Sequence, residues 1–319
     1  MKSEWRFALG WPLFSLLAAV AIGPWLGSEI VLPDSLRDPG ELDIFLRFRL
    51  TRTLLGLLAG ASFSIAGCLF QAIVRNPLAC PYTLGVSTGA ALGAVIAIFL
   101  DLAWVWTGSV TGSLLVLALI ACIFLGGRGI TTTGLILAGV SVNSVCAAMI
   151  ILLQSSAGFS KSFAVTTWLI GALDAFPPAA MAVYAAVALP ICGWVIWKAP
   201  DWDLLSMGEA WAAGRGVPVR TLMWQACLAG SLLTAATVSL TGPIGFVGLM
   251  VPHIVRRYSG ASHRRLLPAN FLFGGAFLIL CDAVARTVLR PAEIPVGVIT
   301  AILGGPGLIW ILRSARSEA

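Results

Sequence analysis

The sequence predicts an all-α polytopic membrane protein with about ten transmembrane helices. Composition is the first reason: of 319 residues 59% are hydrophobic and 11% charged, where a soluble domain carries roughly 25% charged. Mean hydropathy is +0.95. The second is periodicity on the scale of a bilayer. Apolar windows recur at 8–28, 53–74, 83–100, 104–125, 132–153, 179–197, 221–240, 244–256, 267–285 and 296–312, and a helix needs about 20 such residues to cross the hydrocarbon. The third is the lack of any long polar insertion. Only 29–52 and 198–220 are polar for any length, so 1–319 reads as one transmembrane domain.

Each window has its own justification. The first resembles a signal peptide only superficially: it lacks a small-residue cleavage site and holds Trp11, Pro12 and Trp25, so it reads as a retained span. The second carries Gly56, Gly60 and Ser64 four apart, and the third carries Gly85, Gly89 and Gly93 at the same spacing. Such stripes expose bare backbone along one face for close helix packing. The middle windows are apolar runs, several interrupted by Gly or Pro. The eighth opens at Gly242-Pro243 and stops at Arg256-Arg257, as a helix does at a cytoplasmic face. The ninth ends in Asp282, Arg286 and Arg290, which lie four apart and share a face.

Basic residues set the orientation. With the N-terminus inside, the inner segments hold Lys2, Arg6, Arg75, Arg128, Lys198, Arg215, Arg220, Arg256, Arg257, Arg264, Arg265, Arg313 and Arg316. The outer ones hold Arg37, Arg47, Arg49, Arg52, Lys161, Arg286 and Arg290. The bias places both termini in the cytoplasm. The net charge of +6 is thus a topology signal and gives no argument for nucleic acid. One internal echo, Arg52-Thr53-Leu54 with Ala59-Gly60 against Arg220-Thr221-Leu222 with Ala229-Gly230, runs in opposite directions across the membrane. An inverted repeat leaves such an echo, and so does coincidence.

Several chemistries are excluded. No G-x-x-x-x-G-K-[ST] loop exists, so any ATP and Mg²⁺ belong on another polypeptide. Gly85-Val86-Ser87-Thr88-Gly89 matches a hydrolase elbow in letters, but it opens an apolar helix rather than following a strand. His253 and His263 have no acid at ligand spacing, and the seven cysteines form no C-x-x-C pair. They read as packing residues, with no metal site and no catalytic dyad.

Charged residues supply the remaining candidates. Asp282 is expensive at membrane depth unless paired, and Arg286 is its obvious partner. Arg49 and Arg52 lie three apart on one face where the second span begins. These arginines either snorkel to the interface or form a positive outer mouth that steers an acidic partner. Segment 198–220 mixes charges with Leu204, Leu205, Met207 and Trp211. It is either a short interfacial helix or one offered to a cytoplasmic partner.

Seven motifs in order resemble those of the FecCD-type permeases, the membrane subunits of ABC importers for iron-siderophores, haem and vitamin B12. They are Arg49-Leu50-Thr51-Arg52-Thr53-Leu54-Leu55, Gly67 to Gln71 with Arg75-Asn76-Pro77-Leu78-Ala79, Leu84 to Ala90, Leu137-Ala138-Gly139-Val140, Gly242 to Arg256, Asp282 with Arg286, and Pro295 to Thr300. The resemblance implies a vitamin B12-importer-like fold of ten spans with inverted repeats. It also implies a homodimer, two cytoplasmic ATPase subunits and an external substrate-binding protein, the chain lying in the inner membrane. By position, Arg49, Arg52 and Arg286 would meet the binding protein. Asn76, Leu78 and Thr131, Thr132 and Thr133 would form the cytoplasmic gate. Segment 201–217, with Leu205, Gly208, Glu209, Gly216 and Val217, would couple to the ATPase. Gly85, Gly89, Gly93 and Asp282 would be structural.

Five positions depart from the family pattern. Thr51 replaces a proline, loosening the turn that holds the arginine pair. Cys80 replaces an acid, Ala210-Trp211 replaces E-A, and Gly307 replaces a bulkier residue. The expected function is import of an iron chelate by alternating access, a siderophore before haem or vitamin B12. A gradient-driven transporter is the rival.

Overall fold

The computed structural model describes residues 2–27, 37–102, 104–125 and 132–316. Among them every regular element is helical. The α-helices in chain order are α1 Lys2–Ile22, α2 Pro39–Ile44, α3 Thr51–Val74, α4 Val86–Phe99, α5 Val105–Leu125, α6 Thr132–Ser156 and α7 Phe159–Ile170. They continue as α8 Pro178–Trp197, α9 Ala199–Met207, α10 Glu209–Gly214, α11 Val219–Thr241, α12 Val247–Ser259, α13 His263–Thr287 and α14 Val296–Arg316. Six described stretches are long and apolar enough to cross a membrane: Phe7–Trp25, Pro39–Val74, Ile136–Ser156, Pro178–Trp197, Val219–Thr241 and His263–Thr287. Three shorter apolar helices accompany them, Val86–Phe99, Val105–Ile120 and Val296–Ile309.

Each of the apolar windows coincides with one helix, and the differences lie between the windows. Segment 29–52 reads as a polar stretch between spans, and 39–50 of it is helical: α2 runs through a π-helical stretch, Phe45–Leu50, straight into α3. The turn expected at Thr51 is therefore absent. Its hydroxyl instead donates to the Arg47 carbonyl at 2.7 Å, within the turn where the π ladder ends. A proline there would lose that bond and clash with the preceding turn. Helix α7 is a second difference, a hydroxyl-rich segment too short to register as a window. The third is 198–220, which forms two helices because Gly208, at φ +134°, breaks it.

Helix α3 is the core. Leu55, Ala59, Phe63, Ile65, Ala66, Cys68 and Phe70 are all buried, with α13, α11, α12 and α8 packed around them. The approach is close because the crossings are glycine on glycine. A Cβ on Gly60 would strike the Gly274 carbonyl of α13, and one on Gly67 the Gly248 carbonyl of α12. In hydrocarbon, where apolar burial gives no preference for protein over lipid, such contact and buried hydrogen bonds hold helices together. Tyr184 of α8 supplies one knot, its hydroxyl lying 3.1 Å from the Ser62 hydroxyl of α3 and 2.8 Å from that of Thr237 on α11. Ser64 donates to Asn270 Oδ1 of α13 at 2.8 Å.

The third stripe also packs on glycine. Gly89 and Gly93 of α4 face Gly112 and Gly108 of α5, leaving no room for a side chain on either helix. Gly85 behaves differently: it precedes α4 at φ +81° and lies against Val142 of α6.

Candidate functional site

Charged residues gather at the two ends of the bundle. At one end, the one read as outer from the sequence, α3 and α13 bring Arg52 beside Asp282. Arg52 donates to Asp282 Oδ1 through Nε (3.1 Å) and Nη2 (2.9 Å), and through Nη1 to Glu293 Oε2 at 2.8 Å. Arg286, one helical turn from Asp282, takes the other carboxylate oxygen at 2.9 Å and gives Nη2 to the Gly23 carbonyl at 3.1 Å. That carbonyl is available because α1 gives way to a 3₁₀ turn, Gly23–Trp25, over the end of α13. Asp282 is 2% exposed and Arg286 3%. One buried and one partly exposed guanidinium flank the buried acid, each with further acceptors, the arrangement a low-dielectric site demands.

This placement corrects one expectation. Arg286 is too buried to meet an outside protein, and its guanidinium closes α1 onto α13. Arg52 is partly exposed, and Glu293 shares it. Arg49 points elsewhere, its Nη1 lying 3.5 Å from the Pro24 carbonyl. The two arginines share a helix but belong to different contacts.

At the other end, α3 stops where Arg75 adopts a left-handed conformation, φ 50°. The loop that follows is pinned by its own side chains. Asn76 Oδ1 accepts from the Leu78 amide at 2.9 Å, the turn such side chains favour, and Leu78 is left exposed. Tyr82 accepts from Asn143 Nδ2 of α6 at 2.6 Å, and Thr88 of α4 bonds the same Asn143. The loop after α3 is thus fixed to α6. Thr132 and Thr133 begin the backbone of α6, their side chains lying outside the described residues, as does Thr131. Burial pushes the Cys80 thiol above its ordinary value despite opposing bonds to the Thr83 and Tyr82 backbone, so this position stays uncharged.

The inner segment is anchored and partly free. Trp202 is fully buried and donates Nε1 to the Val195 carbonyl at 2.9 Å. Leu205 is 1% exposed. It therefore secures α9 in the bundle and cannot face a partner, which corrects its expected role. Asp203 ties α9 to α13: Oδ1 accepts from the His263 amide at 2.6 Å and lies 2.8 Å from His263 Nδ1, and Oδ2 accepts from Ser262 at 3.0 Å. Burial alone would raise the Asp203 carboxyl. The bonds to His263 and Ser262 outweigh it and hold the group below the usual carboxylate value. Beyond Gly208 the chain turns outward. Glu209 and Gly216 are exposed and Val217 half-buried. Met207 and Trp211 are exposed apolar groups, with the Arg215 guanidinium 5.0 Å from the Trp211 ring centre. Glu209 Oε1 also lies 2.9 Å from Arg75 Nη2, so α10 touches the residue at which α3 ends.

Sequence reasoning missed Glu293, Asn143 and Asp203. Glu293 could have been suspected as an acid close to the outer arginines. For Asn143 and Asp203 nothing local pointed to the partner.

Comparison with known proteins matches this architecture along almost the whole chain. The haemin transport system permease HmuU of Yersinia pestis is 35% identical over 283 residues, covering 86% of this chain and 84% of HmuU. The vitamin B12 import permease BtuC of Salmonella typhi is 35% identical over 322 residues, 98% of this chain and 96% of BtuC. A solved transporter assigned to the metal-chelate type, in an inward-facing conformation, superposes with a TM-score of 0.88 at 29% identity over 96% of this chain and 98% of that one. A sequence model of the FecCD transport family matches residues 11–314. The chain belongs to the FecCD transport family of ABC transporter permeases, transport components of the membrane rather than enzymes.

Proposed function

We propose that this chain is the membrane-spanning subunit of a binding-protein-dependent ABC importer carrying an iron chelate inward by alternating access. A siderophore complex is the first choice of substrate, with haem or vitamin B12 next. Two copies would form the pathway, each with ten spans in inverted repeats and both termini in the cytoplasm of a bacterial or archaeal cell. ATP and Mg²⁺ would sit on two separate ATPase subunits. The carrying observation is the contact between Glu209 and Arg75, which joins the segment offered to the cytoplasm to the loop bearing Asn76 and Leu78. Movement of α9 and α10 under an ATPase would be felt directly at that loop. The faces available for docking are Met207, Glu209, Trp211 and Gly216, with Gly208 as the break that lets them turn outward. On the outer side Arg49 and the exposed edge of Arg52 would meet the binding protein, with Arg286 holding the frame behind them.

A gradient-driven carrier needs an ionisable group free to load and release its ion within the membrane. Asp282 does not suit that role, being held by two arginines.

The test is co-expression with the neighbouring genes, purification, and an ATPase assay in lipid. A co-purifying ATPase stimulated by an external binding protein is expected. A solitary membrane protein without ATPase activity would overturn the reading and the roles given to 201–217.

A further inference from the structure

We infer that the pocket where α7 and α11 end takes an organic cation, the ammonium-bearing arm of the transported chelate. The pocket measures about 410 Å³, and its lining includes Phe163, Thr167 and Trp168 of α7, Thr241 and Gly242 closing α11, and Asp174. Its depth follows from the course of α7, which runs back along α4. Lys161 Nζ donates at 2.8 Å to the carbonyl of Phe99, where α4 ends. One turn further, Val165 is buried with Ala91, Val95 and Ile150. Gly171, at φ +78°, and Gly242, at φ +66°, then stop the two helices against each other. A Cβ on Gly242 would meet the Trp168 carbonyl at 2.5 Å, and the Ala172 amide donates to the Thr241 carbonyl at 2.9 Å.

The pocket carries one sign of charge. The last turns of two helices bring their negative ends to it. Asp174 is the charged residue of its lining, exposed and, among the described residues, without a hydrogen-bond or ion-pair partner. Lys161, the basic residue of α7, is held elsewhere by Asp101 and the Phe99 carbonyl. A bare carboxylate facing lipid is costly, so Asp174 marks a water-filled side of the bundle. Phe163, 66% exposed, and Trp168 add aromatic surface, and aromatic rings beside a carboxylate suit an alkylammonium group. The space is also many times larger than a bare ion fills. That the cation arrives as part of a chelate rests on the importer reading; the preference for an organic cation does not.

Thiol chemistry on the full chain in lipid tests it. Thr167→Cys is introduced with the more accessible Cys80 and Cys122 replaced by Ala. Its reaction with the trimethylammonium-ethyl methanethiosulfonate is then compared with that of the anionic sulfonato-ethyl reagent. Relative to free cysteine, the cationic reagent should gain about tenfold. Asp174→Asn should erase that gain, and Asp43→Asn, which removes an equal charge outside the pocket, should leave it. Benzyltrimethylammonium should protect the thiol, while benzenesulfonate and sodium chloride at the same concentration should not. A rate ratio like that of free cysteine would overturn the assignment, as would equal protection by the two organic ions. Protection by sodium chloride would show a bare-ion site and overturn it too. Ala164→Cys, on the same wall, repeats the measurement if Thr167→Cys does not fold. No ATPase or binding protein enters the readout, so its failure is separable from failure of the importer reading.

Discussion

The two ends of the bundle hold their charges in opposite ways. At one end Asp282 and Arg286 are removed from water, Arg52 is partly exposed beside them, and each has more than one partner. At the other end the link from α10 to the loop after α3 is, among the described residues, one ion pair, with side chains 41% and 49% exposed. A buried charge that loses its partner is left uncompensated, whereas an exposed pair separates at little cost. The buried cluster therefore fixes a geometry, and the exposed contact can be made and released.

The sharpest way to break this comparison is Asp282→Ala. It leaves Arg286 buried without its counter-charge and should cost about 3–5 kcal/mol, read as a large drop in melting temperature in detergent. An unchanged melting temperature would mean that the outer cluster is not a frame. Gly93→Leu should follow, destabilising the α4–α5 seam by about 1–3 kcal/mol through overpacking, with no new substrate preference in a transport assay. A well-folded Gly93→Leu protein with altered specificity would place that seam on the pathway instead.

Asp203→Asn sharpens the inner half. The Asp203 carboxyl is held below its ordinary value, so its stabilisation is fully present above roughly pH 4 and fades as pH falls through the lower folded value. The difference in melting temperature between wild type and variant should accordingly shrink in acid; a difference that grows there would reverse the sign. Arg49→Glu should weaken binding-protein affinity severalfold at low salt and less at high salt, measured on the lipid-embedded complex. It is cleaner than any change at Arg52, which also disturbs Asp282. The smallest effect on stability belongs to Glu209→Gln, below about 1 kcal/mol, yet co-purification of the ATPase or its coupling to transport should suffer. Normal coupling would remove Glu209 from the mechanism.

Much of the fold was legible because a bilayer imposes one rule on every span: length in apolar residues. The segments that escaped do not obey it. Helix α7 is 12 residues long and interleaves Ser160, Lys161, Ser162, Thr166 and Thr167 with apolar positions, so its hydropathy resembles a loop. The helical stretch before Thr51 carries Glu41, Asp43, Arg47 and Arg49 and is helical as an extension of α3 beyond the hydrocarbon. For the charged residues, identity was readable and exposure was not. Arg286 reads as an outward-facing basic residue at a span end, but its burial depends on the Gly23 carbonyl, 263 residues away. Leu205 falls, by family resemblance, in the segment expected to couple to the ATPase, and the Trp202 anchor that turns it inward is visible only once α9 is folded.

The unbroken run Pro39–Val74 is 36 residues long. At 1.5 Å per residue it measures about 54 Å, nearly twice the hydrocarbon thickness of about 30 Å. It carries Arg49 and Arg52 towards one end and Gln71 at the other, with the Gly60–Gly274 crossing near its middle. Such a rod is a lever with its fulcrum inside the membrane. A tilt of about 5° about that crossing moves each tip by roughly 2 Å, in opposite directions. A force applied at the Pro39 end would then reach the loop after Val74 without any intermediate element having to deform.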